Sequence, residues 1–281
     1  MKSLERQYPV RDGCRALGVS PSGFYAWRGR ACSQRDQANA ELTAEIQSLF
    51  VQYMTCYGSP RITRELHRRG RGCGKNRVAR LMRQKGLRVV PRRCFRPQTT
   101  DSQHDHPIAP NRWAQHETVK EPNEVWVSDI TYVPTGEGWL YVAGLVDAYS
   151  RRVVGWAMSD RLDTQLPLDA LRMALEQRQP PQGLMHHSDR GCQYASEAYR
   201  TVLTQRGLQA SMSRKGNCYD NAMMESFWAT LKKELVHRRR FLTRAEAYRA
   251  IFEYIEVFYN RQRLHSSLGY QSPVDFETMR N

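Results

Sequence analysis

The hydrophobic period changes at Val125, and that change limits what the chain can fold into. Before it, apolar residues recur every three or four positions; after it, short β-branched or apolar runs bounded by turn residues take over. The pattern predicts strands at 125–132, 139–147 and 152–159, a helix at 164–178 and a strand at 184–188. A helix at 196–206, a strand at 208–212 and a helix at 220–235 follow. Three strands joined by short turns, then strands alternating with helices, predict an α/β unit: a mixed five-stranded sheet with helices on its faces.

The last of these helices concentrates chemistry. Ala222, Phe227, Trp228, Leu231 and Leu235 form its buried stripe, and Asp220 stands where an N-cap would. Glu225 lies one turn in, and Lys232, seven positions later, points from the same side. Upstream, Asp129 and Asp189 each close an apolar run. Two strand-borne carboxylates and one helix-borne carboxylate are the oxygen set that a pair of divalent cations needs. Taken singly, each has a plainer reading, as a turn former or a solvated helix residue. His187 shares a strand face with Asp189, where it either orients water or a ligand or simply packs.

The charge is unevenly placed. Residues 1–110 hold 21 Lys and Arg against 8 Asp and Glu, whereas residues 111–281 hold 22 against 20. A basic N-terminal part on a near-neutral body suggests a DNA-gripping module attached to a working domain. Residues 10–28 read as a helix, a turn and a helix, either a small helix-turn-helix element or a hairpin that packs on the next domain. In 40–86 three amphipathic helices are predicted, the third with Val78, Leu81 and Met82 inward and Lys75, Asn76, Arg77, Arg80 and Arg83 outward. An arginine-rich face on a third helix is what the major groove requires. Residues 88–122 read as a basic, proline-interrupted linker in which Arg92 and Arg93 could track phosphates. The organisation expected is 1–36, 37–87, 88–122, 123–237 and 238–281, the last a C-terminal helix and tail read as core packing or a protomer contact.

Three blocks carry a family resemblance: Trp126-x-x-Asp129-Ile130-Thr131-Tyr132, His187-Ser188-Asp189-Arg190-Gly191-x-Gln193-Tyr194, and Asp220-Asn221-Ala222-x-x-Glu225-Ser226-Phe227. Together they resemble the DDE transposase and retroviral-integrase superfamily, and most closely the second-reading-frame product (OrfB) of the insertion-sequence-three family. The 35 residues between Asp189 and Glu225, Lys232, and the tail Tyr259-Asn260-x-x-Arg263-x-His265-Ser266-Ser267-Leu268-Gly269-Tyr270 fit that likeness. It implies an RNase H-like core preceded by all-α helix-turn-helix elements. It also implies Asp129, Asp189 and Glu225 as catalytic metal ligands for Mg²⁺, with Mn²⁺ able to substitute, and Lys232 on DNA phosphate. The activity implied is cleavage at inverted-repeat ends followed by 3′-OH strand transfer, without a covalent protein–DNA intermediate. Rival expectations are a catalytically silent DNA-binding regulator, or a nuclease without strand transfer. The family also implies a homo-oligomer on DNA and an upstream-frame (OrfA) fusion or partner, since no sustained heptads are present here.

Seven scattered cysteines without a C-x-x-C pair, and no apolar leader, fit a bacterial cytosol and its nucleoid. His104, His106 and His116 lack a spaced cysteine pair, so no zinc is predicted. The longest apolar run, 139–146, is too short to span a bilayer.

Overall fold

The computed structural model describes residues 9–89, 107–116, 118–214 and 221–279. Five helices come first: α1 (Val10–Ala16), α2 (Pro21–Arg28), α3 (Gln34–Gln52), α4 (Ser59–Arg68) and α5 (Lys75–Gln84). Ser20 caps α2, its hydroxyl accepting from Gly23 N at 3.0 Å, and Pro21 fills the first helical position. Leu42, Ile46 and Leu49 of α3, Ile62 and Leu66 of α4, and Val78 and Leu81 of α5 bury their side chains in one cluster.

The sheet comprises β1 (Val125–Thr135), β2 (Gly138–Asp147), β3 (Val153–Ser159), β4 (Met185–Ser188) and β5 (Gln209–Met212), in the order β3-β2-β1-β4-β5. The first three are antiparallel; β4 and β5 continue parallel to β1. Between and after them run α6 (Gln165–Arg178), α7 (Cys192–Ala195), α8 (Glu197–Gln205), α9 (Ala222–Glu234), α10 (Arg244–Glu253) and α11 (Pro273–Thr278). The mixed sheet expected from the period change is therefore present, with strand ends within three residues of those predicted.

Alternation along the strands splits the core into two layers. Trp126, Ala143, Leu145 and Val154 face α6 and α8, while Val125, Val127, Val142 and Val146 face α9 and α10. Asp129 has the parity of Val125 and Val127, which puts it on the α9 face. The predicted terminal helix continues from α10 as a π-helical turn, Tyr254–Tyr259, with Tyr254, Ile255 and Phe258 buried. Its residues pack in the core, one of the two roles expected of it.

The helical domain is fastened to the C-terminal tail. Tyr57 Oη donates to Gln262 O at 3.1 Å and accepts from Leu264 N at 2.8 Å, and Arg61 Nε donates to Leu264 O at 2.8 Å. Arg238 reaches from beyond α9 to Met54 O at 2.7 Å and Thr55 Oγ1 at 2.6 Å.

Two buried histidines make stability pH-dependent. Burial, then His187, pushes His186 down to about 3; burial, then the nearby arginines, pushes His265 down to about 2. A neutral folded-state histidine contributes its stability above the unfolded value near 6.5 and loses it as pH falls towards the folded value. We expect each to cost about 1.4 kcal/mol between pH 7.5 and 5.5. Urea midpoints at the two pH values should show the loss, and His186→Gln should reduce it; midpoints that do not move would contradict it.

Candidate active site

β1 and β4 run parallel with Val127 opposite His187. Two residues further along each chain come Asp129, still in β1, and Asp189, just past the end of β4, near enough for the charge of Asp189 to act on Asp129. Asp129 is half-buried as a residue, but its surroundings are dense enough that burial pushes its pKa well up. Asp189, then Glu225, push it the same way; the Ile130 amide and the Trp228 indole oppose this without prevailing. Asp189 Oδ1 accepts from Gly191 N at 2.9 Å, which fixes the carboxylate in a tight turn. A Cβ at Gly191 would lie 3.0 Å from that oxygen.

α9 is seated beside this pair by a notch in β2. Gly144 stands opposite Asp129, and a Cβ there would meet Trp228 Cη2 at 2.9 Å and Cζ2 at 3.2 Å. The missing side chain admits the indole, whose Nε1–H is buried without a partner at hydrogen-bond geometry, close enough to Asp129 to favour its ionised form. Asn221 fastens the start of the helix, its Nδ2 donating to Ser128 O at 3.1 Å. We expect Gly144→Ala to cost about 1–3 kcal/mol through overpacking. DNA cleavage should fall about 10²-fold as the helix shifts by a fraction of an ångström. Thermal melting and a cleavage assay on the purified variant would check both.

Glu225 is exposed on the first turn of α9, and its charge is felt at Asp129. Among the described residues, no three His, Cys, Asp or Glu stand close enough to hold one metal ion. Lys232, two turns on, is half-buried; burial lowers its pKa and Asp129 partly restores it, which puts the ammonium near the carboxylates.

Several expectations need correction. Asn221, not Asp220, occupies the N-cap position of α9, and it makes no side-chain cap because its amide is turned to β1; Asp220 lies outside the described residues, as do Arg92, Arg93, His104 and His106. His187 packs: Nδ1 is 2.9 Å from Ser211 Oγ and Nε2 is 3.1 Å from Ser213 Oγ, so both ring nitrogens are held by β5 and its extension. Arg77 is half-buried and donates to Asn39 Oδ1 at 2.9 Å, tying α5 to α3. Lys75, Asn76, Arg80 and Arg83 are exposed, and Asn76, Arg77 and Arg80 line an open groove of about 690 Å³ with Gln34 and Arg35 of α3, so the hydrogen bond to Asn39 leaves Arg77 on the same basic face. Residues that the motif reading passed over include Trp228 and Tyr194. Tyr194 is buried; burial, then Tyr199, then the two aspartates raise it well above the ordinary phenol range, and Ser128 opposes them without prevailing.

Comparison with known proteins agrees with this geometry. Residues 119–218 and 225–280 each match a model of an integrase core domain, residues 36–95 an HTH-like domain, and residues 1–53 a transposase model. The chain is 49% identical over 263 residues to the 31 kDa protein of insertion element IS600 from Shigella sonnei, covering 94% of this chain and 96% of that one. It is 40% identical over 275 residues to transposase InsF for insertion sequence IS3A of Escherichia coli (strain K12), covering 97% and 95%. The chain belongs to the transposases of bacterial insertion sequences.

It is accordingly a DDE transposase with an integrase core and DNA-binding helix-turn-helix parts, α3–α5 lying within the HTH-like match. Among solved structures, the simian T-cell lymphotropic virus intasome is similar over 79% of this chain and 70% of that chain, at 16% identity and a TM-score of 0.48. No helix among the described residues of the transposase is long and apolar enough to cross a membrane.

Proposed function

We propose that Asp129, Asp189 and Glu225 are the metal-holding catalytic residues of this transposase, cutting the inverted-repeat ends of its element and then joining the freed 3′-OH to target DNA. The observation that supports this most is the closeness of Asp129 and Asp189 at the adjoining ends of β1 and β4, where each disfavours the other's ionised form and a bound cation would relieve the repulsion. The donors are all carboxylate oxygens, which suits hard divalent ions such as Mg²⁺ or Mn²⁺. Two such ions, when bound, supply an activated water and neutralise charge at the phosphodiester. Asp129 would bridge them, with Asp189 on one side and Glu225 on the other.

The remaining roles belong to the protein. Trp228 shields one side of Asp129 from water and holds α9 against β2. Lys232 is placed to meet a phosphate near the scissile bond. Lys75, Asn76, Arg80 and Arg83 present the exposed face of α5 to the element's end, and Arg92 and Arg93 extend the basic track in sequence. The working assembly is a homo-oligomer on DNA, fused to or joined by the upstream-frame product.

Purified protein incubated with inverted-repeat ends and Mg²⁺ should nick the DNA, and with a precut 3′-OH end it should give joined products. Glu225→Gln should abolish both and leave end binding intact. Binding without any cleavage would favour the silent regulator, and cleavage without joining would favour the plain nuclease. Full specific activity from this chain alone, matching a fusion, would count against the upstream partner.

A further inference from the structure

On the side of α9 away from Glu225 lies a second, basic cavity of about 330 Å³. Its walls bring together Arg61 of α4, Arg151 of the β2–β3 turn, Ser226 of α9, and Arg263, Ser266 and Ser267 of the tail. These are the tail residues whose motif the catalytic reading leaves without a role.

The charges do not balance. Among the described residues Glu234 is the carboxylate that faces these arginines, and both its oxygens are taken by Arg263, Nε to Oε2 at 2.8 Å and Nη2 to Oε1 at 2.8 Å. Arg61 stands 3.9 Å from the same carboxylate. His265, which also lines the cavity, is neutral under ordinary conditions because burial and these arginines depress it. Three guanidiniums against one carboxylate leave an excess of two positive charges around a polar hollow.

Arg151 is the anomaly that points to a ligand. Its backbone sits at φ +63°, a region that non-glycine residues rarely adopt. Its guanidinium is half-buried and desolvated enough for burial to lower its pKa, yet among the described residues it makes no hydrogen bond or ion pair. A partly buried cation with no counter-charge is costly unless an anion completes the site.

We propose that this cavity binds a backbone phosphodiester of DNA, seated between Arg61 and Arg151 with the Ser266 and Ser267 hydroxyls as further donors. The proposal rests on the chain being a DNA transposase. Guanidiniums recognise phosphate oxygens through paired N–H donors, and serine hydroxyls complete such sites. The position explains why a strand should pass here. Arg61 belongs to the helical DNA-binding domain, and Ser226 follows Glu225 directly on α9. A phosphate held here therefore bridges the end-recognition domain to the helix that carries the third catalytic carboxylate.

The test measures binding of a labelled end duplex to the full chain across 50–300 mM salt. Arg151→Asn is the first variant, since asparagine tolerates positive φ and no protein partner is lost. Its affinity should fall about 5- to 10-fold on every duplex sequence, with the slope of log Kd against log salt reduced by about one, as for loss of one phosphate contact. Ser266→Ala/Ser267→Ala should weaken binding in the same sequence-independent way, and neither variant should melt below the parent. Unchanged affinity and slope in Arg151→Asn would overturn the proposal. So would inorganic phosphate stabilising the parent, and not Arg151→Asn, while DNA binding stays the same, because the cavity would then take free phosphate. Loss of the slope in Arg151→Asn, with a parent protein that binds ends but never cuts, would leave this site standing and remove the catalytic assignment instead.

Discussion

Asp129→Asn is expected to abolish DNA cleavage and, at the same time, to raise the melting temperature of the metal-free protein. Asp129 stands near Asp189, which follows the end of β4, and is densely enclosed, so burial first and then like charge disfavour its ionised form. The folded-state pKa is raised, so above it the carboxylate is ionised against the preference of the fold and lowers stability. Asparagine keeps the shape and removes the charge. The gain should be on the order of 1–3 kcal/mol, the usual scale for a buried polar group left uncompensated, or roughly 2–4 °C per kcal/mol in a chain of this size. Cleavage should drop at least about 10³-fold, since a neutral amide would hold hard divalent ions far more weakly than a carboxylate. Titration with Mg²⁺ should raise the melting temperature of the parent and leave the variant nearly unmoved. A variant that melts lower than the parent, or that still cuts, would refute the placement of this pair.

The second large effect lies at Glu234. Burial alone would raise its pKa, but the paired hydrogen bonds from Arg263, helped by Tyr254 and Arg61, hold it below the usual carboxylate range. Arg263 responds in the opposite direction: burial would lower it, and Glu234 keeps it raised. Glu234→Gln strands a guanidinium that is only 6% exposed. Breaking one side of a buried pair costs about 3–5 kcal/mol. The loss should extend beyond the catalytic core, because Arg61 of the helical domain reaches both Glu234 and the carbonyl of Leu264. Urea unfolding followed by Trp fluorescence should show a lower midpoint, with the helical domain releasing early. Replacing Glu234 and Arg263 together by Gln and Met should recover much of the stability, since the most deeply buried unpaired charge is then gone. A single variant within about 0.5 kcal/mol of the parent would mean that the pair is not a structural clamp.

The amino-acid sequence by itself determined the sheet, its flanking helices and the three motif blocks. Period and turn residues are local signals, and Val125–Thr135 or Gln165–Arg178 needs no distant partner to be read. Placing Asp129 and Asp189 in neighbouring strands was within reach only through the family likeness, because a parallel pairing across some sixty residues leaves no mark in either strand. Tertiary structure alone decided the rest. Gly144 looked like any glycine in a strand until the Trp228 indole was seen lying over it. That Ser211 and Ser213 hold both nitrogens of His187, and that Asn39 takes the Nε of Arg77, is decided by neighbours far away in the chain. Arg151 gave no signal at all among so many arginines. Residue type and spacing set which backbone forms locally, but whether a charged group meets an opposite charge, a hydroxyl or nothing depends on elements brought together only when the chain closes on itself.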